Sequence, residues 1–282
     1  MNPESIPKLR TAALPRQSRG NTLVTGLAAA VDRSLMRAVT LIVERRLLPR
    51  DVDLDMLRDS VQAMLDARLL QSPASLFDFV ATLESDTGAE LPRSRSVSRR
   101  RLDGGRIFQR TLASRYEECP QLDPGPEAAG GAADIFFEHW VHEQDPAAAT
   151  VIILHGFAMG WPVIDGLALS AAQWYERGLD VVLLTLPEHG PRRPAGAVFS
   201  GQNFTVPHAV RLAAAVRRAA HEIFEVKQWL RRRSDLPIGL VGMSLGGYLA
   251  SLCAGLSDDF EFLVPLVPPA CFGDLAWRVY RE

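Results

Sequence analysis

The sequence predicts an α/β fold, in which helices flank a mostly parallel β-sheet and a helical N-terminal region precedes the sheet. Short apolar runs rich in β-branched residues alternate with helical patterns over residues 107–282. Apolar residues recur at three-to-four-residue spacing over much of the first hundred residues. The 282 residues are 47% hydrophobic and 23% charged, which is enough apolar material for one large core.

Composition makes several functional classes improbable. A formal net charge of −2 gives no electrostatic reason to expect a nucleic-acid partner. Cys119, Cys253 and Cys271 are an odd number at wide spacing, which predicts neither a disulfide framework nor a zinc cluster. The sequence contains no HExxH, GxxxxGK or Rossmann glycine pattern, so we expect neither a metal nor an organic cofactor. With no secretory signal and no long apolar span, a cytoplasmic location is expected.

The first 91 residues divide into a tail and a helical region. Residues 1–20 are polar and contain three prolines, which predicts a mobile tail. Residues 21–91 are predicted to be helical, with a basic amphipathic helix over 24–47 and a second helix over 51–70. The basic helix could lie on a membrane surface, but docking against the rest of the protein is the favoured alternative.

Residues 92–106 are predicted to be a basic linker. The stretch PRSRSVSRRRLDGGR combines proline, serine, glycine and arginine without an apolar period. The arginines could hold phosphates or an acidic partner, although a solvated linker is the commoner explanation. We therefore place a domain boundary here and assign residues 107–282 to the α/β core.

Within the core, strands and helices are predicted to alternate. The predicted strands lie at 133–143, 149–156, 178–190, from Leu236 to the motif GMSLG, and at 260–268. The predicted helices lie at about 163–177, at 207–233 and directly after Ser244. This order places several strand ends at one carboxyl edge of the sheet, where α/β proteins bind their ligands.

The motif GMSLG at 242–246 matches G-x-S-x-G, with a strand pattern before it and a helix pattern after it. Glycines permit the sharp strand-to-helix turn that exposes the serine hydroxyl, and the helix N-terminus favours developing negative charge. The motif predicts Ser244 as a nucleophile. The alternative is that small residues here only let a strand pack closely against a helix.

The loop ILHGFAMGW, residues 153–161, supports the catalytic interpretation. It follows a predicted central strand and is expected to expose the backbone N–H of Phe157. The N–H of Leu245 would be the second donor of an oxyanion hole. We expect His155 to be a buried histidine bonded to backbone rather than a catalytic group.

These motifs resemble the α/β-hydrolase superfamily. VIILHGF, VVLLTLPEHGPRR, GLVGMSLGGYLASL and FLVPLVP follow its order and cover roughly residues 106–282. Within the superfamily the sequence is most similar to the uncharacterised bacterial group related to α/β-hydrolase domain-containing protein 18. The resemblance implies a catalytic triad in the chain order serine, acid, histidine.

No histidine follows Ser244, because the last of the six is His221. The resemblance implies two further strand–helix units, so the sheet is expected to be truncated after its sixth strand, in a fragment or in a naturally shortened form. His189 is the best-placed upstream substitute, although we favour a surface or loop-stabilising role for it. Asp274 could be a triad acid, but helix capping is the simpler interpretation.

The predicted function is hydrolysis of a small-molecule acyl substrate through Ser244, in the manner of a carboxylesterase. Little or no turnover is expected, because a serine without its base is a poor nucleophile. One alternative is a non-catalytic binding or interaction protein with the same fold. Another is an acyltransferase that uses the same serine with an acceptor other than water.

Overall fold

The computed structural model describes residues 54–66, 68–69, 71–85, 92–119, 122, 134–197, 199–205 and 209–269. The predicted tail, the predicted basic helix and the residues Cys271 and Asp274 lie outside this part. The described strands are β1 Ser94–Leu102, β2 Gly105–Leu112, β3 Ile135–His142, β4 Ala149–Leu154, β5 Leu179–Thr185, β6 Ile238–Met243 and β7 Phe262–Leu266. The described α-helices are α1 Leu54–Asp66, α2 Pro73–Leu76, α3 Phe79–Ser85, α4 Pro162–Ala168, α5 Ala171–Glu176, α6 Ala209–Arg231 and α7 Leu245–Leu256.

The seven strands form one sheet in the order β1-β2-β3-β5-β4-β6-β7. β1, β2, β3 and β5 are joined by antiparallel ladders, whereas β5, β4, β6 and β7 are joined by parallel ones. Five strands therefore run in one direction, and the predicted mostly parallel sheet is confirmed. Leu154 is level with Leu184 on one side and with Gly242 on the other, so the carboxyl ends of β4, β5 and β6 meet at one edge.

Both faces of the sheet are covered by helices. All six residues of β4 are buried, as expected for a central strand with helices on either side. Ile152 and Leu154 belong to the large core that contains residues of α6 and α7. Val151 and Ile153 face the opposite way, into a smaller core with residues of α5. The period-two alternation of the strand thus distributes its side chains between the two layers.

The prediction of a linker at 92–106 is wrong, because strand β1 occupies most of these residues. β1 pairs antiparallel with β2, from Ser94 opposite Leu112 to Leu102 opposite Gly105. Almost every β1 side chain is exposed, so the strand carries no apolar alternation by which the sequence could reveal it. Its arginines lie at the outer edge of the sheet, where charge discourages pairing with another chain.

Helices α1 to α3 confirm the helical character of residues 54–85 and pack against the sheet domain. Phe77, Val80 and Leu83 belong to the large core. The carboxylate of Glu84 forms an ion pair with the buried Nζ of Lys227 in α6, at a distance of 2.7 Å. The predicted boundary therefore does not divide the described residues into separate compact units.

Helix α6 carries three buried charged side chains, and each of them contacts a different segment of the chain. Glu222 binds Arg192 in the loop after β5, and Glu225 accepts hydrogen bonds from Ser114 and the backbone N–H of Arg115 after β2. Lys227 contacts Glu84, as described above. Among the helices of the described part, α6 included, none is both long and apolar enough to cross a membrane.

Candidate active site

Ser244 lies at a sharp turn between β6 and α7, with φ 52° and ψ −116°. Its N–H donates to the carbonyl oxygen of Leu266 in β7 at 2.9 Å, and its own carbonyl accepts the N–H of Tyr248 at 2.9 Å. Serine rarely adopts positive φ, and such strain concentrates at functional positions. The predicted strand–serine–helix arrangement is present, with the serine partly exposed.

Close backbone packing explains the glycines around the serine. A Cβ on Gly246 would lie 2.2 Å from the carbonyl oxygen of Leu154 and 2.6 Å from that of His155. A Cβ on Gly242 would lie 2.2 Å from the carbonyl oxygen of Gly246. Neither obstacle is a movable side chain, so both positions require glycine. Packing alone explains these glycines, but it does not require positive φ at Ser244.

Strained residues follow all four parallel strands at this edge. Ala158, Glu188, Ser244 and Val267 follow β4, β5, β6 and β7 in turn, with φ of 63°, 62°, 52° and 42°. The left-handed conformation costs about 1–2 kcal/mol for residues with a Cβ, and a β-branched valine is a clear outlier. The positive φ of Glu188 and Val267 could not be predicted from the sequence, because no local pattern marks a left-handed residue that is not glycine. Their position makes the carboxyl edge of the sheet the candidate site.

The loop after β4 lies against the turn that contains Ser244. The N–H of Met159 donates to the carbonyl of Gly156 at 3.3 Å, closing a turn with Phe157 and Ala158 at its centre. A Cβ on Gly156 would lie 3.5 Å from the carbonyl oxygen of Met243. In the described part of the chain, neither the N–H of Phe157 nor that of Leu245 donates a hydrogen bond. Both predicted oxyanion donors are therefore unused.

His155 has a structural role, as the sequence predicts. Its Nδ1–H donates to the carbonyl of Gly156 at 2.8 Å, and its Nε2 accepts the N–H of Leu186 at 3.0 Å. Burial, with His189 nearby, lowers the pKa of His155 to about 3, so the imidazole is neutral at pH 7. The ring joins the end of β4 to the loop after β5.

His189 is fully buried, which contradicts a surface role and leaves the loop-stabilising one. Its Nδ1–H donates to the carbonyl of Pro187 at 2.8 Å, and its ring lies 4.9 Å from that of His155 and 5.3 Å from that of Phe204. Burial lowers the pKa of His189 to about 4. No side chain in the described ranges hydrogen-bonds the Ser244 hydroxyl, so the structure does not bring His189 to Ser244 as a base.

Asp165 anchors the loop after β4. It lies buried in the first turn of α4, and its Oδ1 accepts the N–H of Gly160 at 3.2 Å. Burial raises the pKa of Asp165 to about 6. No sequence motif marks Asp165, although it is the one acidic residue in the otherwise uncharged stretch from Gly156 to Trp174.

Cys253 is fully buried in α7, and burial raises the pKa of its thiol, which fits the predicted apolar role. Within the ranges that the structure describes, no group of three or more histidine, cysteine, aspartate or glutamate side chains is arranged to hold a metal ion.

Sequence comparison finds relatives in Mycobacterium tuberculosis. No protein-family model matches the chain. MT2702 of strain CDC 1551 / Oshkosh and Rv2627c of strain ATCC 25618 / H37Rv, both described as uncharacterized, are 34% identical over 133 residues. Each match covers 45% of this chain but only 31% of the relative.

Structural comparison identifies the fold. Acetyl xylan esterase 1 from Thermoanaerobacterium sp. JW/SL YS485 superposes with a TM-score of 0.50 at 14% identity, covering 74% of this chain and 62% of the esterase. An acetyl xylan esterase from Paenibacillus sp. R4 gives the same score and identity over 73% and 62%. The chain has the α/β-hydrolase fold. In this α/β-hydrolase fold, Ser244 and the loop after β4 lie where α/β sheets bind ligands, at the carboxyl ends of the strands.

Proposed function

We propose that this protein hydrolyses small acyl esters, with Ser244 as the nucleophile and the N–H groups of Phe157 and Leu245 as the oxyanion hole. The observation that carries the proposal is the conformation of Ser244, held at φ 52° between β6 and α7. The turn projects the side chain at the carboxyl edge of the sheet, beside a loop whose amide donors are unused. The esterase chemistry of the structural neighbours is consistent with this proposal.

The proposed reaction has two steps. The Ser244 Oγ attacks the ester carbonyl carbon and gives its proton to solvent water, while the carbonyl oxygen takes up negative charge and accepts hydrogen bonds from the two amides. The alcohol then leaves with a proton, and an acyl-serine remains. Water attacks the acyl-serine, releases the acid and restores the hydroxyl. An acceptor other than water in this second step would make the protein an acyltransferase.

Slow turnover is part of the proposal. In the described part of the chain no base contacts Ser244, and a serine without a base reacts poorly. This observation also favours a second candidate function, in which the protein is a non-catalytic binding or interaction module with the α/β-hydrolase fold.

We also propose a cytoplasmic location and kinship with one bacterial group of this fold. A cytoplasmic location is supported by the low cysteine content, three residues at wide spacing among 282. Kinship with the bacterial group related to α/β-hydrolase domain-containing protein 18 is supported by the motif LPEHGPRR after β5 and by the proline-rich end of β7.

Covalent labelling with a fluorophosphonate tests the proposal. The wild-type protein is expected to gain one phosphonyl group on the peptide that contains Ser244, measured by mass spectrometry. Ser244→Ala should abolish labelling, and Ser251→Ala, a change in the same helix, should leave it intact. A folded wild-type protein that never reacts, or labelling that survives Ser244→Ala, would support the non-catalytic module instead.

A further inference from the structure

An apolar surface lies at the start of α4. Trp161, Val163, Ile164 and Leu167 are 46%, 74%, 55% and 79% exposed. They are four of the nine large hydrophobic side chains exposed in the described part of the chain, within seven consecutive residues. We call these four side chains the α4 face. Single exposed apolar residues are ordinary, but a cluster indicates contact with another molecule.

The α4 face lies in a stretch without exposed charge. From Gly156 to Trp174 the sequence contains one ionisable side chain, Asp165, and that carboxyl is 4% exposed. Across the whole chain 23% of residues are charged. A partner recognised through ion pairs therefore finds no exposed charge within this stretch.

The α4 face is connected to the candidate active site through Asp165. This carboxylate holds the N–H of Gly160, which ends the loop that contains Phe157. Gly160 packs in turn against the loop after β5, where a Cβ on it would lie 2.7 Å from the Cβ of His189 and 2.9 Å from the N of Gly190. A molecule that covers the α4 face lies next to the proposed oxyanion loop.

We propose that the α4 face docks on the surface of an electrically neutral lipid layer. Apolar side chains in an uncharged stretch of chain insert among neutral headgroups, and tryptophan favours the membrane–water interface. Four side chains with these exposed fractions offer roughly a few hundred square ångströms, below the ~800 Å² per partner that a stable dimer buries, which argues against a second copy of the chain. That the docked lipid also supplies the acyl ester for Ser244 rests on the proposed function.

Vesicle flotation tests the docking surface. The full chain is mixed with phosphatidylcholine vesicles and centrifuged through a density gradient in 0.1 M and 1 M salt. We expect the wild-type protein to float in both. The triple variant Val163→Ser/Ile164→Ser/Leu167→Ser should bind at least about tenfold more weakly. The control Leu65→Ser/Val97→Ser, which removes exposed apolar groups elsewhere, should float like the wild type.

Three results would overturn the docking surface. The wild-type protein could stay at the bottom of the gradient, or the triple variant could float as well as the wild type. Alternatively, size-exclusion chromatography with light scattering could show a wild-type dimer that the triple variant dissociates, which would assign the face to self-association.

Ser244 labelling in lipid-free buffer separates this inference from the proposed function. Labelling without flotation would overturn the docking surface alone. Flotation without labelling would support the docking surface and contradict the hydrolase proposal. The triple variant should be labelled like the wild type, since the three exposed side chains are not needed to hold the oxyanion loop.

Discussion

Arg192 and Glu222 form a bidentate ion pair inside the protein, with Nη1–Oε2 and Nη2–Oε1 distances of 2.5 and 2.8 Å. Both side chains are almost fully buried, at 2% and 1% exposure. Arg192 Nη1 also donates to the carbonyl of Thr185 at 3.0 Å, and Glu222 accepts a third cationic contact from Arg218 at 3.1 Å. The pair fixes the end of β5 and its loop against α6, so the loop that carries His189 has a rigid support.

Glu222→Gln is expected to destabilise the protein by about 3–5 kcal/mol, because it leaves Arg192 charged and unneutralised in the core. The measurement is the free energy of unfolding from denaturant titration. Glu143→Gln is the matched control, since Glu143 pairs with Arg106 at 3.3 Å near the surface. That change should cost less than about 1 kcal/mol. Equal effects of the two changes would contradict a dominant role of the buried pair.

Gly246→Ala is expected to lower stability by about 2–3 kcal/mol and to reduce Ser244 labelling, because the new methyl group meets the carbonyl of Leu154. Gly255→Ala in the same helix is the control, since a Cβ there meets nothing within 4 Å. It should leave stability unchanged or raise it by up to about 1 kcal/mol. Thermal unfolding of both variants gives the comparison, and similar melting temperatures would refute the steric argument.

Acid should destabilise the fold through three buried histidines. Burial lowers the pKa of His139 to about 3, of His155 to about 3 and of His189 to about 4, below the usual 6.5. As pH falls below about 6.5, the unfolded chain binds protons that the folded chain does not, so stability is lost progressively towards pH 3–4. Each histidine contributes up to about 1.4 kcal/mol per pH unit in this window.

The test is the unfolding free energy of the wild type and of His189→Gln between pH 7.5 and 5. Below about pH 6.5 the slope should be smaller in the variant by up to about 1.4 kcal/mol per pH unit, whatever its stability at pH 7.5. An unchanged slope would show that His189 does not contribute to the acid sensitivity.

Asp165 should act in the opposite direction. Burial raises its pKa to about 6, so ionisation costs folding free energy as pH rises through 4 to 6. Asp165→Asn cannot ionise and keeps an oxygen for the N–H of Gly160. The melting temperature of Asp165→Asn relative to wild type should therefore rise between pH 4 and pH 8. A constant difference would mean that the Asp165 carboxyl titrates normally.

Local sequence patterns predicted much of the sheet and the turn at Ser244, because G-x-S-x-G between an apolar strand and a helix reflects the nearby backbone contacts of Gly242 and Gly246. Sequence patterns did not predict β1, because this strand is held by backbone hydrogen bonds to β2 while its side chains face solvent. The burial of His189 also could not be read from the sequence, since it depends on Phe204 and Gly201 in a loop that folds back over it.

The charged groups that support the candidate site could not be identified from the sequence either. Arg192 and Glu222 are 30 residues apart, and each alone resembles an ordinary surface residue in the sequence. The role of Asp165 could not be predicted either, although its partner Gly160 is only five residues away, because only the loop geometry shows that the carboxylate binds this N–H.

The three buried ions of α6 also have a kinetic consequence. Their partners lie 30, 111 and 143 residues away along the chain, at Arg192, Ser114 and Glu84. Contacts between such distant segments form slowly, because long loops must close before any interaction compensates their lost entropy. We expect α6 to dock late in folding. Once it is docked, the segments that it joins should open together, so their amide hydrogens should exchange with solvent at similar rates.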